Sequence, residues 1–81
     1  MSDWFVYILR CNDNSFYTGV TTDIDRRLQE HNSAGSTTRY TRGRQPVVLV
    51  YQEPAASRSD ASRREATIKR LTKAQKATLI G

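Results

Sequence analysis

An arginine and a histidine occupy helix positions where a core would place apolar side chains, within FYTGVTTDIDRRLQEH (residues 16–31). With about 100° of turn per residue and Ile24 at zero, His31 falls at roughly 340° and Arg27 at roughly 300°. Arg26 and Glu30 fall at roughly 200° and 240°, so they point outward and can form an i,i+4 ion pair. Arg27 and His31 therefore border the apolar face, where a guanidinium has the shape to bind a phosphate.

A carboxylate borders the apolar face of a second predicted helix. With Ala61 at zero, Ile68 falls at roughly 340° and Glu65 at roughly 40°. Moving a carboxylate toward the interior is costly unless a cation, a metal ion or protonation offsets the lost hydration. Two interpretations stay open. One is a salt bridge between Glu65 and Arg27 across packed helices, and the other is a cleft in which Glu65 holds a hard divalent cation and Arg27 faces a phosphate.

Three predicted strands position these side chains. WFVYIL (residues 4–9) is a continuous apolar run typical of a strand buried on both faces. It should pair as an antiparallel hairpin with FYTGV (residues 16–20), because CNDNS (residues 11–15) has the composition of a turn. VVLVY (residues 47–51) predicts a third strand, which opens after Pro46.

Three predicted helices begin at residues that can cap a helix with a side-chain oxygen. They run from Thr22 or Asp23 to about Asn32, from Ser57 to about Leu71, and from Thr72 onward. The intervening segment SAGSTTRYTRGRQ (residues 33–45) shows no period and is interpreted as a loop. The order β-β-α-β-α-α predicts an α+β fold, with helices packed on a small antiparallel sheet.

Length and composition further narrow the possible classes of protein. The 81 residues predict one domain (residues 1–81), and Cys11, the one cysteine, allows no intramolecular disulfide and favours the cytoplasm. The N-terminal apolar run is far shorter than the roughly 18 residues of a membrane span, so no membrane association is predicted. Ten of the 13 Lys and Arg residues are arginines, and the net charge is +5. That bias suits phosphate recognition, although charge alone is equally compatible with solubility.

The spacing of these residues resembles the GIY-YIG nuclease superfamily, and most closely its small single-domain bacterial members. The resemblance rests on FVY (residues 5–7), YTG (residues 17–19), Arg27, His31 and the helix-borne Glu65. It implies a three-stranded antiparallel sheet flanked by helices and divalent-metal-dependent cleavage of a DNA phosphodiester. Thr18 replaces the isoleucine of the second motif, a departure at a position where packing counts more than chemistry.

The resemblance also implies a role for each motif residue. Tyr7 and Tyr17 are the motif tyrosines, Arg27 is the catalytic arginine, His31 is its helper one turn later, and Glu65 is the ligand of Mg²⁺ or Mn²⁺. One carboxylate suits Mg²⁺, which keeps most of its waters. A tyrosine hydroxyl can act as the base only if the metal, Arg27 or a charged His31 favours the phenolate, because the ordinary phenol pKa is near 10. The sequence does not choose between Tyr7 and Tyr17.

Further residues are predicted to contact DNA. Gly19 allows close approach of a phosphate, with a bulge at the end of its strand as the alternative. RYTRGR (residues 39–44) groups Arg39, Arg42 and Arg44 around Tyr40, which suits backbone contacts and stacking, with a solvated loop as the alternative.

Two alternative functions are compatible with the same residues. One is a nucleic-acid binding module that keeps the fold but cleaves poorly. The other is a small basic structural or partner-binding protein. The set of two tyrosines, arginine, histidine and glutamate favours the nuclease, with DNA as its partner and no dedicated protein partner indicated.

Overall fold

A three-stranded antiparallel sheet forms the centre of the computed structural model, which describes residues 3–33 and 39–81. The strands are β1 (Trp4–Arg10), β2 (Phe16–Thr21) and β3 (Val48–Ala55), in the spatial order β2-β1-β3. β1 pairs antiparallel with both neighbours, and a bulge interrupts its pairing with β3 between Ile8 and Leu9. The predicted α+β class and the antiparallel hairpin are confirmed.

The central strand is buried on both faces, as its continuous apolar run predicts. Val6 and Ile8 point to one face, where they pack with Ala61 and Ile68. Tyr7 and Leu9 point to the other, because side chains alternate along a strand. The sheet therefore separates two small cores.

The turn between β1 and β2 is closed by local hydrogen bonds. The amide of Asn14 donates to the carbonyl of Cys11 at 3.0 Å, and the Cys11 amide donates to the Ser15 carbonyl at 2.8 Å. Asn14 has a φ of 66°, a left-handed conformation that asparagine tolerates better than most residues. This turn fixes the register that places Tyr7 opposite Gly19.

Helices cover both faces of the sheet. α1 (Ile24–Asn32) packs Ile24 and Leu28 on the Tyr7 face, whereas α3 (Arg58–Lys69) packs on the Val6 face together with the end of α4 (Lys73–Ile80). The predicted caps are confirmed, since side-chain oxygens accept backbone amide hydrogens at all three helix starts. These caps are Asp23, Ser57 and Thr72.

The segment interpreted as a loop contains a further short helix, α2 (Arg39–Arg42). One helical turn is too short to show a period in the sequence, and α2 is held by tertiary contacts with α1. The loop prediction is therefore wrong for these four residues. The first part of the predicted loop, residues 34–38, lies outside the described residues.

The third strand is shifted relative to its prediction. It begins one residue late because the Asn32 side chain already satisfies the Val47 backbone, accepting from its amide at 2.7 Å and donating to its carbonyl at 2.9 Å. It also continues past Tyr51 through Pro54, which an edge strand tolerates because an edge has unpaired positions. Among the described helices, none has the length and apolar composition needed to cross a membrane.

Candidate active site

The aromatic side chain of Tyr7 lies over Gly19 on the neighbouring strand. The two residues are directly paired, and a Cβ atom on Gly19 would lie 2.5 Å from the Tyr7 hydroxyl oxygen. Gly19 is buried, and only glycine leaves room at this position for the Tyr7 hydroxyl. The register between β1 and β2 is regular here, so Gly19 does not lie in a β-bulge, which is the alternative to its predicted phosphate contact.

His31 is buried next to the Tyr7 hydroxyl. Its side chain is 1% exposed, and its Nε2 lies 2.9 Å from the Tyr7 hydroxyl oxygen. Its Nδ1 lies 2.8 Å from Oγ1 of Thr41, and its ring centroid lies 5.0 Å from that of Tyr17. Burial, and then the positive charge of Arg27, lower the pKa of His31 to about 4. The imidazole is therefore neutral at pH 7 and cannot favour a phenolate by charge, which corrects that part of its predicted role.

The hydroxyl of Tyr7 is also protonated at neutral pH. Burial raises the pKa of Tyr7 to about 12, and the negative charge of Glu65 contributes in the same direction, while a hydrogen bond with Arg27 opposes it. Because the pKa of His31 is about 4, both groups are neutral at pH 7. The phenol and the imidazole therefore share a hydrogen bond between neutral groups and do not exchange a proton in the resting protein. Tyr7 is 2% exposed, whereas Tyr17 is partly exposed, so only Tyr17 offers substantial surface to solvent.

The predicted orientation of the two arginines in α1 is confirmed. The side chain of Arg26 is 75% exposed and pairs with Glu30 at 3.3 Å, whereas the side chain of Arg27 is 31% exposed. Arg27 also donates to Glu30 at 3.1 Å, an intrahelical contact that the turn angles of the helix did not predict. Although burial opposes it, hydrogen bonding to Tyr7 and Glu30 raises the pKa of Arg27, so a full positive charge is held at the edge of the site.

Glu65 approaches from the opposite layer. Its side chain is 24% exposed, and one carboxylate oxygen lies 3.5 Å from the Lys69 ammonium in the same helix. α3 packs against β2, which is an edge strand, so groups from both faces of the sheet can meet beyond that edge. The negative charge of Glu65 makes a small contribution to the raised pKa of Tyr7, which puts the carboxylate within electrostatic range of that hydroxyl.

A metal ion at Glu65 would have one protein carboxylate as its ligand. Within residues 3–33 and 39–81, no group of three His, Cys, Asp or Glu side chains could hold a metal. A single carboxylate oxygen fits Mg²⁺ or Mn²⁺ only when water and substrate phosphate complete the coordination. The donor set therefore fits a metal that binds together with its substrate.

The predicted DNA-contacting loop is partly committed to internal contacts. The Arg44 guanidinium lies 4.2 Å from the centre of the Tyr40 ring, and its Nε donates to Asp13 at 2.9 Å. The Tyr40 ring lies 5.7 Å from the ring of Tyr17. Arg44 and Tyr40 thus tie α2 to the hairpin turn and support Tyr17, while Tyr40 stays partly exposed. Arg39 and Arg42 are exposed on α2.

Thr41 is the site residue that sequence reasoning missed. It is fully buried, and its hydroxyl contacts His31 from α2. Neither periodicity nor a motif marks it, because its importance depends on how one turn of helix packs on α1.

The fold and the site define a small α+β domain with a tyrosine, arginine and histidine cluster on one face of its sheet and a carboxylate on the helix that packs on the other face. Residues 3–78 match the family model of the GIY-YIG catalytic domain, and the chain belongs to that family. The resemblance stated from the motifs is confirmed.

Relatives and solved structures agree with this assignment. The UPF0213 protein DP2720 of Desulfotalea psychrophila is 54% identical over 77 residues, which cover 95% of this chain and 70% of that protein. The solution NMR structure of the UPF0213 protein BH0048 of Bacillus halodurans has a TM-score of 0.60 at 44% identity, covering 96% of this chain and 82% of that one. That of EF2693 from E. faecalis has a TM-score of 0.66 at 40% identity, covering 99% and 84%.

Proposed function

We propose that this protein is a metal-dependent endonuclease that hydrolyses DNA phosphodiester bonds. The observation that supports this most is the cluster on one sheet face, in which Arg27 and two tyrosines surround His31 with Glu65 in electrostatic range. Membership in a family described as a catalytic domain points in the same direction.

Arg27 is the group that we assign to the phosphate. Hydrolysis places negative charge on the equatorial oxygens of phosphorus in the transition state, and a fixed guanidinium stabilises that charge. Arg27 is held by α1 and by its hydrogen bond to Glu30, within electrostatic range of Tyr7, yet about a third of its side chain remains exposed. The charge is therefore oriented before the substrate arrives.

Tyr17 is the tyrosine that we assign to the attacking water. A base must reach that water, and Tyr17 is partly exposed whereas Tyr7 is buried with a pKa of about 12. Tyr17 also lies within electrostatic range of Arg27. The buried Tyr7 hydroxyl then has the role of orienting the Arg27 guanidinium.

Glu65 is the residue that would hold Mg²⁺ or Mn²⁺. When bound, such a metal neutralises charge on the phosphate and stabilises the leaving oxygen. Because the protein offers one carboxylate here, we expect weak binding of metal in the absence of DNA.

The exposed arginines of α2 are the proposed backbone contacts. Arg39 and Arg42 extend the positive charge of Arg27 along the same layer of the fold. Backbone contacts of this kind give affinity without sequence preference. The buried single cysteine is consistent with a reducing compartment such as the cytoplasm.

A nuclease assay tests the proposal directly. Duplex, single-stranded, nicked and branched DNAs of one sequence are incubated with the protein in Mg²⁺, Mn²⁺ or EDTA. We expect cleavage of at least one substrate with either metal and no cleavage in EDTA. Absence of cleavage on every substrate in both metals would contradict the proposal.

The second candidate is a DNA-binding module that cleaves poorly. The burial of Tyr7 and His31 favours it, because two of the five motif side chains offer almost no surface to a substrate. Salt-dependent DNA binding with equal affinity in Mg²⁺ and EDTA, without cleavage, would support this alternative.

A further inference from the structure

Three buried polar side chains form a hydrogen-bonded series beneath the candidate site. Tyr7 on β1, His31 on α1 and Thr41 on α2 are 2%, 1% and 0% exposed. The Tyr7 hydroxyl oxygen lies 2.9 Å from His31 Nε2, and His31 Nδ1 lies 2.8 Å from Thr41 Oγ1. Three separate elements therefore meet at one imidazole, and each of its nitrogens has a hydroxyl partner.

The hydrogen-bonding capacity of each group sets the direction of this series. A neutral imidazole has one N–H donor and one acceptor nitrogen, and a guanidinium can only donate. Arg27 lies close enough to the Tyr7 hydroxyl for its positive charge to lower the pKa of that phenol, and a guanidinium can only donate, so the phenol oxygen presents its lone pairs to Arg27. The Tyr7 O–H then needs an acceptor of its own, and His31 Nε2 lies at the right distance. It follows that Nδ1 carries the imidazole proton and donates it to Thr41.

We propose that Thr41 is a positioning residue that fixes the tautomer of His31, and through His31 and Tyr7 fixes the orientation of Arg27. The Thr41 hydroxyl oxygen accepts from Nδ1–H, which keeps Nε2 as the acceptor for Tyr7. The phenol oxygen is then available to Arg27. The proposal rests on the proposed function in one respect, namely that Arg27 faces the phosphate.

Removing the Thr41 hydroxyl oxygen would reverse the series. A buried Nδ1–H without an acceptor is unfavourable, so the imidazole would shift to the Nε2–H tautomer. Nε2–H would then donate to the Tyr7 oxygen and compete with Arg27 for its lone pairs. Arg27 would keep its contact with Glu30 but lose its access to the Tyr7 oxygen, although no residue that faces the substrate has been changed.

Nitrogen NMR of the imidazole tests the tautomer without any activity measurement. The chain has one histidine, so ¹⁵N-labelled histidine gives one pair of ring signals. We expect the wild-type protein at pH 7 to show a protonated Nδ1 and an unprotonated Nε2. Thr41→Val should move these signals toward the Nε2–H tautomer, and Thr41→Ser, which keeps the hydroxyl, should restore them. Thr78→Val is the matched control, because Thr78 is an exposed residue of α4 whose hydroxyl donates to the Ala74 carbonyl in the same helix.

Cleavage kinetics give the second measurement. Loss of a hydrogen-bond partner that orients a metal-ligating histidine typically lowers activity by about 10- to 100-fold, and we expect Thr41→Val to lower kcat by a similar factor with KM within about twofold. Thr41→Ser and Thr78→Val should stay near the wild-type rate.

The NMR and cleavage measurements can contradict the two proposals independently. A wild-type protein that shows the Nε2–H tautomer, or a Thr41→Val spectrum identical to the wild type, would overturn the role of Thr41 whatever the nuclease assay shows. If Thr41→Val does not fold, the wild-type tautomer still decides the point. Absence of cleavage by the wild-type protein would count against the proposed function, while the tautomer would still decide whether Thr41 orients His31.

Discussion

Substitution of Glu65 by glutamine separates a metal ligand from a structural carboxylate. The ion pair that the structure gives Glu65 is with Lys69, 3.5 Å away in the same helix and 54% exposed. An i,i+4 pair of this kind contributes about 0.3–0.5 kcal/mol. Glu65→Gln should therefore lower the free energy of unfolding by less than about 1 kcal/mol, which is less than about 8 °C in Tm. Mg²⁺-dependent cleavage should nevertheless fall by at least about 100-fold, since the proposed metal loses its one protein carboxylate.

A second glutamate provides a matched control. Glu53 is also 24% exposed, but both of its carboxylate oxygens accept from Arg64 at 3.1 Å, and one accepts from the Tyr51 hydroxyl at 2.6 Å. Charge-assisted bonds of this kind contribute about 1–2 kcal/mol after allowance for their exposure. Glu53→Gln should thus cost more stability than Glu65→Gln while leaving the cleavage rate nearly unchanged.

Three measurements on both variants distinguish the possibilities: a urea denaturation curve, a cleavage time course in Mg²⁺, and a DNA titration in EDTA. DNA binding by Glu65→Gln should be retained, because a negative charge has been removed near the phosphate. The reasoning is refuted if Glu65→Gln loses about 3 kcal/mol, the cost expected for breaking a buried ion pair. It is also refuted if the variant is stable and cleaves at the wild-type rate.

Three further predictions follow from the same geometry. Arg27→Ala should reduce cleavage by about 100-fold or more, whereas Arg26→Ala should change it only a few fold; equal losses in parallel time courses would contradict the assigned helix phase. Burial lowers the pKa of His31 in the folded protein from 6.5 to about 4. The stability linked to the neutral imidazole is therefore fully present above pH 6.5 and is lost as the pH falls toward 4. Urea curves should show about 2 kcal/mol less stability at pH 4.5 than at pH 7, and a flat profile would show that His31 is not desolvated. Arg39 and Arg42 changed together to Ala should flatten the dependence of DNA affinity on log salt concentration by up to about two units, and an unchanged slope would exclude backbone contacts by α2.

Much of the fold could be predicted because the determining interactions are local. The central strand is recognisable from an unbroken apolar run, and the helix starts are recognisable because a capping side chain bonds an amide three residues away. The inward position of Arg27 follows from helix geometry alone. The motif tyrosines and Gly19 likewise follow from spacing within one hairpin, whose short turn fixes the register.

Only the tertiary structure decided what these side chains do to one another. The sequence presents His31 as a possible cation, but burial between two strand tyrosines and Thr41 makes it neutral. It presents Gly19 as a residue without a side chain, but only the packing shows that Tyr7 fills the space that a Cβ atom would need. Such outcomes depend on contacts between residues far apart in the chain, on desolvation, and on a helix of one turn that has no stability of its own. Sequence therefore determined which groups are present and on which face, while packing determined their charge, their hydrogen-bond partners and their access to solvent.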